Sequence, residues 1–135
     1  MLFRSKRAIE INPQNAAALN YLGYTWAEMG IQLDEAEILI QRALKIEPND
    51  GFYIDSLGWV YYQKGDYNKA VEFLERAVEI TVDDPTIIEH LGDAYEKTSK
   101  IDRAVVRYRD ALKKTKEDEQ SKRLREKIQR LERKI

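Results

Sequence analysis

A pattern of alanines returns along this chain at a step of 34 residues. Two series share this step: Ala36, Ala70 and Ala104, and then Ala43, Ala77 and Ala111. A unit of this length makes one small supersecondary element that cannot bury its apolar face alone, so several units must stack. The sequence therefore predicts a repeat array in which each unit packs on its neighbours, and not a domain with one central core.

A longer motif accompanies the alanines in three copies. The copies read Leu19-x2-Leu22-Gly23-x2-Trp26, Ile54-x2-Leu57-Gly58-x2-Tyr61 and Ile88-x2-Leu91-Gly92-x2-Tyr95. By these residues the chain resembles the tetratricopeptide repeat (TPR) family over about residues 16–116. The resemblance implies an all-α fold, namely a right-handed superhelical solenoid of antiparallel helix hairpins with a C-terminal capping helix.

The resemblance also divides the chain into segments. The stretch from Arg7 to Pro13 matches the stretch from Arg42 to Pro48, so we expect residues 1–15 to be the remaining second helix of a truncated preceding repeat. The other expected segments are repeats at 16–50, 51–84 and 85–116 and a basic amphipathic helix at 117–135. We therefore expect the chain to be the C-terminal part of a longer bacterial array.

Local signals predict where the helices begin and end. Asp50 and Asp66 can each cap a helix N-terminus, Gly65 can end a helix, and Pro85 suits a first turn. The predicted helices are about Ala16–Met29, Leu33–Ile46, Gly51–Lys64 and Tyr67–Ile80, and a further helix begins near Pro85. The interior glycines Gly23, Gly58 and Gly92 each cost about 1 kcal/mol relative to alanine. We expect a neighbouring helix to cross closely at each of them.

Composition excludes several functional classes. Hydrophobic residues make up 43% and charged residues 35% of the 135 residues, the balance of a highly helical chain. No apolar run approaches the roughly 18 residues that favour a membrane span, so no membrane insertion is predicted. The chain has no cysteine and one histidine, His90, which argues against a thiolate metal site. No phosphate loop or nucleophile motif occurs, so we predict neither a cofactor nor an enzyme.

The predicted binding surface lies on the first helix of each repeat, because in the TPR family first helices line a concave groove. The positions that match this groove carry aromatic and acidic side chains, a combination that favours basic or aromatic–basic protein partners. The predicted groove residues are Asn20, Tyr24, Glu28, Phe52, Asp55, Trp59, Tyr62, Glu89, Asp93 and Glu96. Trp59 is the strongest candidate contact. In the alternative interpretation, Phe52 and Tyr62 pack between first helices and the acids form a solvated face.

Charge separates the array from its C-terminal segment. Residues 1–112 carry 13 basic and 19 acidic side chains, whereas residues 113–135 carry 10 basic and 5 acidic ones. Leu124, Ile128, Leu131 and Ile135 follow the spacing of a helical seam. We expect this stripe to cap the last repeat over Tyr108 and Leu112. In the alternative, the helix forms a coiled coil or docks into the acidic groove of another copy.

These patterns predict a scaffold or adaptor that binds a peptide or helix in an acidic, aromatic concave groove. The competing hypothesis is a structural module that forms homo-oligomers through residues 117–135 or through exposed ends of the solenoid. The basic segment does not predict nucleic-acid binding, because acidic residues are interleaved and no aromatic side chain is available for stacking. Acids at the groove positions also argue against a clamp for a C-terminal carboxylate.

Overall fold

The computed structural model describes residues 2–135, and this part of the chain contains eight α-helices and no strand. The helices are α1 (Leu2–Ile11), α2 (Ala16–Met29), α3 (Leu33–Ile46), α4 (Gly51–Lys64), α5 (Tyr67–Ile80), α6 (Pro85–Lys97), α7 (Ile101–Lys114) and α8 (Asp118–Glu132). Helices α2 to α5 have the predicted bounds, and α6 begins at the predicted Pro85. None of the helices between residues 2 and 135 combines the length and the apolar character that crossing a bilayer requires.

The helix ends follow from local side-chain chemistry. The Asp50 carboxylate accepts hydrogen bonds from the backbone N–H groups of residues 52 and 53, and Asp66 accepts one from the N–H of residue 69. Gly65 ends α4 with φ 87°, in the left-handed region that glycine enters without steric cost.

The first repeat has one residue more than the second between matching positions, since Gly30 to Ala36 corresponds to Gly65 to Ala70. This extra residue lies in the turn before α3, where Gln32 takes φ 49°. The insertion therefore leaves the helices of that repeat intact.

The helices stack as an array in which first helices lie on the inner side. In each hairpin a first helix packs on its second helix: α2 on α3, α4 on α5 and α6 on α7. The first helices also pack directly on one another, α2 on α4 and α4 on α6. Between residues 2 and 135 the second helices make no such extensive contact with each other. The array therefore curves with α2, α4 and α6 along its concave surface.

Two close crossings explain the glycines inside the first helices. A Cβ atom at Gly58 would lie 2.8 Å from Leu74 Cγ, and one at Gly92 would lie 2.6 Å from Tyr108 Cε1. Both distances are shorter than van der Waals contact, so a side chain would push the hairpin apart. The predicted close approach is confirmed, and the same holds at Gly23 against Ile40.

Helix α8 packs on the last repeat as the sequence predicts for a capping helix. Leu124 and Leu131 are fully buried and Ile128 is 7% exposed, and all three join the core cluster that contains Tyr108. Ile135 is 72% exposed and lies outside this contact. Because α8 packs along α7, it takes the place that the first helix of a following repeat would occupy.

Candidate functional site on the concave surface

The predicted groove residues all lie on the three helices of the concave surface. Three of them, Asn20, Tyr24 and Glu28, lie on α2. Helix α4 carries Phe52, Asp55, Trp59 and Tyr62, and helix α6 carries Glu89, Asp93 and Glu96. The structure nevertheless separates them into two groups with different neighbours. We call the surface around Tyr24, Phe52 and Asp55 the open half, and the surface around Glu89, Asp93 and Glu96 the paired half.

An aromatic stack marks the boundary between the two halves. The Trp59 ring lies parallel to the Tyr62 ring at a centroid distance of 4.4 Å, and its other neighbour, His90, stacks at 3.9 Å. Trp59 and Tyr62 are both half-buried. Trp59 therefore has a packing role that the sequence analysis did not identify, since it bridges α4 and α6 through His90.

A buried ion pair holds the same boundary. His90 Nδ1 lies 2.8 Å from Asp55 Oδ1, and both residues are less than a tenth exposed. Because a carboxylate only accepts, Nδ1 is the donor. Burial alone would lower the pKa of His90, but the carboxylate of Asp55 outweighs it, followed by Asp93 and Glu89, and the pKa is raised. The only histidine of the sequence therefore links α6 to α4 through a buried ion pair.

The acids of the paired half are bound by side chains of α8. Arg123 donates through Nη2 to Glu89 Oε1 at 2.7 Å and through Nε to Oε2 at 2.8 Å. Lys127 Nζ lies 2.8 Å from both Glu89 Oε2 and Asp93 Oδ1. Arg130 donates to Glu96 through Nη1 at 2.6 Å. The three acids therefore form a ladder of ion pairs with the chain's own C-terminal helix.

The ladder shifts the ionisation of its buried acid. Glu89 is only 3% exposed. Burial alone would raise the pKa of Glu89, but hydrogen bonds from Arg123, Gln120 and Lys127 outweigh burial and hold the pKa at about 2. The pKa of Glu96 is lowered in the same way, because Arg130 and Tyr108 offset its burial. Both carboxylates therefore stay charged and engaged at neutral pH.

The cations of the ladder were missed by the sequence analysis, although a signal for them exists. Most ion pairs between α6 and α8 join residues that are 34 positions apart in the sequence, as in Arg123 with Glu89 and Lys127 with Asp93. Arg130 and Glu96 are also separated by 34 residues. This separation equals the repeat period, so adding one period to the acidic positions of α6 would have identified their partners on α8.

The open half contains a small cleft between α2, α4 and the start of α6. The cleft has a volume of about 200 Å³ and is lined mainly by Asn20, Tyr24, Phe52, Asp55, Ser56 and Asp84. Asn20 Oδ1 is buried there without a hydrogen-bond partner among residues 2–135. Phe52 is 51% exposed at the rim. Burial, and then the charges of Asp55, Glu28 and Asp84, raise the pKa of Tyr24 well above its ordinary value.

A second cleft lies at the opposite end of the array from α8. It has a volume of about 410 Å³ between α1, α2 and α3, and its lining is mainly apolar. Trp26, Ile9 and Ile38 contribute to it, and Ile38 is 56% exposed. In the following repeats the positions that correspond to Trp26 are Tyr61 and Tyr95, which are almost fully buried.

Comparison with known proteins identifies relatives of the sequence. A family model described as TPR repeat matches residues 58–99. A TPR repeat-containing protein of Pseudomonas aeruginosa is 44% identical over 62 residues, which cover 46% of this chain and 10% of the relative. Anaphase-promoting complex subunit 3 of Schizosaccharomyces pombe is 33% identical over 70 residues, or 52% of this chain and 10% of that protein. The chain thus spans about a tenth of the length of these relatives.

Solved structures with the same architecture confirm the fold. A thermophilic TPR protein of Thermus thermophilus superposes with a TM-score of 0.79 at 21% identity, covering 94% of this chain and 71% of that one. A crystal structure of MamA superposes with a TM-score of 0.71 at 16% identity, covering 98% and 87% of the two chains. At these identities the likeness concerns the fold alone.

Proposed function

We propose that this chain is a scaffold or adaptor that binds a protein segment along the open half. The chain belongs to the tetratricopeptide repeat family, and the fold of this family mediates protein–protein interaction. The observation that carries this proposal is the cleft beside Tyr24, Phe52 and Asp55, which combines exposed aromatic surface with polar groups. Sites of this composition, with a few oriented polar groups among aromatic ones, are typical of recognition surfaces. The site has no catalytic role in this proposal.

The two halves of the concave surface contribute differently to binding. The acids of α6 are engaged by α8, so a partner would have to displace Arg123, Lys127 and Arg130 to reach them. The acids around Tyr24 are free of such a competitor among residues 2–135, apart from the pairing of Asp55 with His90. A partner segment therefore gains most by contacting α2 and α4.

Selection from a displayed library of random peptides tests the proposal. Peptides selected on the wild-type chain should bind a Phe52→Ala variant about tenfold more weakly, because truncation of an aromatic contact residue typically costs about 1–2 kcal/mol of binding energy. The matched control is Val106→Ala, since Val106 is 58% exposed, close to the 51% of Phe52, but lies on α7. Peptides whose affinity falls equally in both variants, or in neither, would contradict binding at the open half.

A second candidate function, self-association through an end of the solenoid, is favoured by the apolar cleft beside Trp26. Self-association through α8 is disfavoured, because the apolar side chains Leu124, Ile128 and Leu131 are buried against their own chain. Light scattering coupled to size-exclusion chromatography distinguishes the two functions. Self-association through this end predicts a dimer at about micromolar concentration that Ile38→Glu abolishes. A wild-type monomer at every concentration would exclude this candidate.

A further inference from the structure

We propose that the cleft of the open half is a pocket for an arginine side chain of the bound partner, with the guanidinium on Asp55 and its plane against Tyr24 and Phe52. This inference rests on the proposed function and specifies the partner chemistry at that site. It concerns one side chain, so it can be tested apart from the identity of the partner.

Asp55 supplies the anchor for a cation. The residue is only 6% exposed, yet its carboxylate lines the cleft. One oxygen, Oδ1, binds His90, whereas Oδ2 has no hydrogen bond within residues 2–135. Asp55 Oδ2 is therefore a carboxylate oxygen that keeps access to the cleft, and a charge-assisted donor is its favoured partner. His90 neutralises only one charge of this region. Glu28 and Asp84 accept hydrogen bonds, from Tyr24 and from the first turn of α6, but have no ion-pair partner among residues 2–135.

The surrounding side chains suit a planar cation. A guanidinium has five N–H groups, so it can donate to Asp55 Oδ2 and keep further donors for neighbouring oxygens. Asn20 lines the same cleft, and its buried Oδ1 lacks a donor. Phe52 at the rim and Tyr24 within the cleft offer aromatic faces, on which arginine stacks better than lysine does. A cleft of about 200 Å³ has room for one side chain and not for a folded element.

The paired half shows how acidic positions on this surface bind basic side chains. There, three acids that face the groove each hold a cation from α8, and Arg123 binds Glu89 through two nitrogen atoms. Asp55 precedes Glu89 by one repeat period of 34 residues, so it occupies the corresponding place on α4. Helix α8 supplies a guanidinium to the later position. At the earlier position helix α6 supplies His90 to Asp55 Oδ1, and the partner would supply a guanidinium to Oδ2.

The probe for the test is N-acetyl-arginine methylamide, titrated into the full isotope-labelled chain and followed by amide NMR shifts. Because a single side-chain contact gives millimolar affinity, the titration extends to about 50 mM. We expect saturable shifts at residues that line the cleft, and no saturation with the capped norleucine analogue. Capped lysine should bind more weakly than capped arginine. Shifts spread evenly over the acidic surface, or equal shifts with norleucine, would overturn the inference.

Variants locate the site. Asp55→Asn should weaken binding of capped arginine about tenfold, since it removes the negative charge that strengthens the hydrogen bond to the guanidinium. If that variant is misfolded, the double variant Glu28→Gln/Asp84→Asn serves instead, because asparagine keeps the cap of α6. It should weaken binding about threefold by loss of charge. The control is Glu72→Gln, an exposed charge on α5. Equal binding by Asp55→Asn, or by the double variant where it serves, and by the control would refute the pocket.

The outcome is distinguishable from failure of the proposed function. Selected peptides that need Phe52 but contain no basic residue would keep the proposed function and refute the arginine pocket. Saturable binding of capped arginine together with a failed peptide selection would keep the pocket and remove support for a peptide-binding groove.

Discussion

The two halves of the concave surface carry similar acids, but the acids have different partners. On α6, Glu89, Asp93 and Glu96 are held by cations of α8. On α4, Asp55 lines a cleft in which its one ion-pair partner among residues 2–135 is His90. On α2, Glu28 is exposed and accepts a hydrogen bond from the Tyr24 hydroxyl. Acidic groove positions are thus all paired with α8 at one end of the array, whereas at the other end Asp55 pairs with His90 and Glu28 stays exposed without an ion pair among residues 2–135. Composition of a groove does not by itself identify a binding surface.

The largest expected difference between the halves concerns stability. Leu124→Ala removes a fully buried side chain where α8 meets the last repeat, and we expect it to lower the free energy of unfolding by about 2–5 kcal/mol. Urea denaturation followed by circular dichroism measures this loss. Phe52→Ala in the open half should cost much less, because Phe52 is 51% exposed.

The matched control within α8 itself is Ile135→Ala, which alters the exposed end of the same apolar stripe. It should change stability by no more than about 0.5 kcal/mol. If Leu124→Ala proved no more costly than Ile135→Ala, then α8 would not be docked in solution. The distinction between the paired half and the open half would then disappear.

A smaller effect should appear as a dependence on pH. The folded pKa of Glu89 is about 2, against an ordinary value of 4.5. Its contribution is therefore present above about pH 4.5 and is lost as the pH falls towards 2, and a shift of this size corresponds to about 3 kcal/mol. The stability advantage of the wild type over Glu89→Gln should shrink over this window in urea titrations.

Removal of one cation tests the cause of this pH dependence. Lys127→Gln leaves Glu89 in place but takes away one of its donors. Its stability should fall less steeply on acidification than that of the wild type. Curves for wild type and Glu89→Gln that stay parallel between pH 5 and pH 2 would show that the ladder does not hold this carboxylate.

Sequence reasoning identified the elements because their signals are local. Asp50, Asp66 and Gly65 set helix ends through bonds to residues a few positions away, and the bounds agree with the structure. The spacing of Leu124, Ile128 and Leu131 predicted the buried face of α8 in the same way. Even the interior glycines could be interpreted, because their cost requires a close neighbour.

The site was harder to predict because its pairings cross helices. Opposite charges suggested that the basic segment could dock on an acidic groove. Charge alone does not show whether that groove belongs to the same chain or to a second copy. The packing of α8 along α7 decides this, since it brings Arg123 beside Glu89. Trp59 looked free for binding because its neighbour in space, His90, is 31 residues away in sequence. Which of these residues contact a partner stays a prediction.

The smallest expected effect distinguishes buried from exposed members of the ladder. Arg130 and Glu96 are partly exposed, with 47% and 24% of their side chains accessible. A double-mutant cycle with Arg130→Gln and Glu96→Gln should therefore give a coupling energy of only about 0.2–1 kcal/mol. Most of it should vanish at about 1 M salt, where the Debye length is about 3 Å.

The Arg109–Glu132 pair between α7 and α8 is the control for this cycle, because its side chains are 55% and 47% exposed. Its coupling should be weaker than that of Arg130 with Glu96. If the Arg130–Glu96 coupling energy instead exceeded the stability lost in Glu89→Gln and persisted at high salt, the exposed end of the ladder would bind α8 more strongly than the buried end. The acids of α6 could then not be released one by one from the accessible side. A partner would have to displace α8 as a whole, and the open half would be the only accessible part of the concave surface formed by residues 2–135.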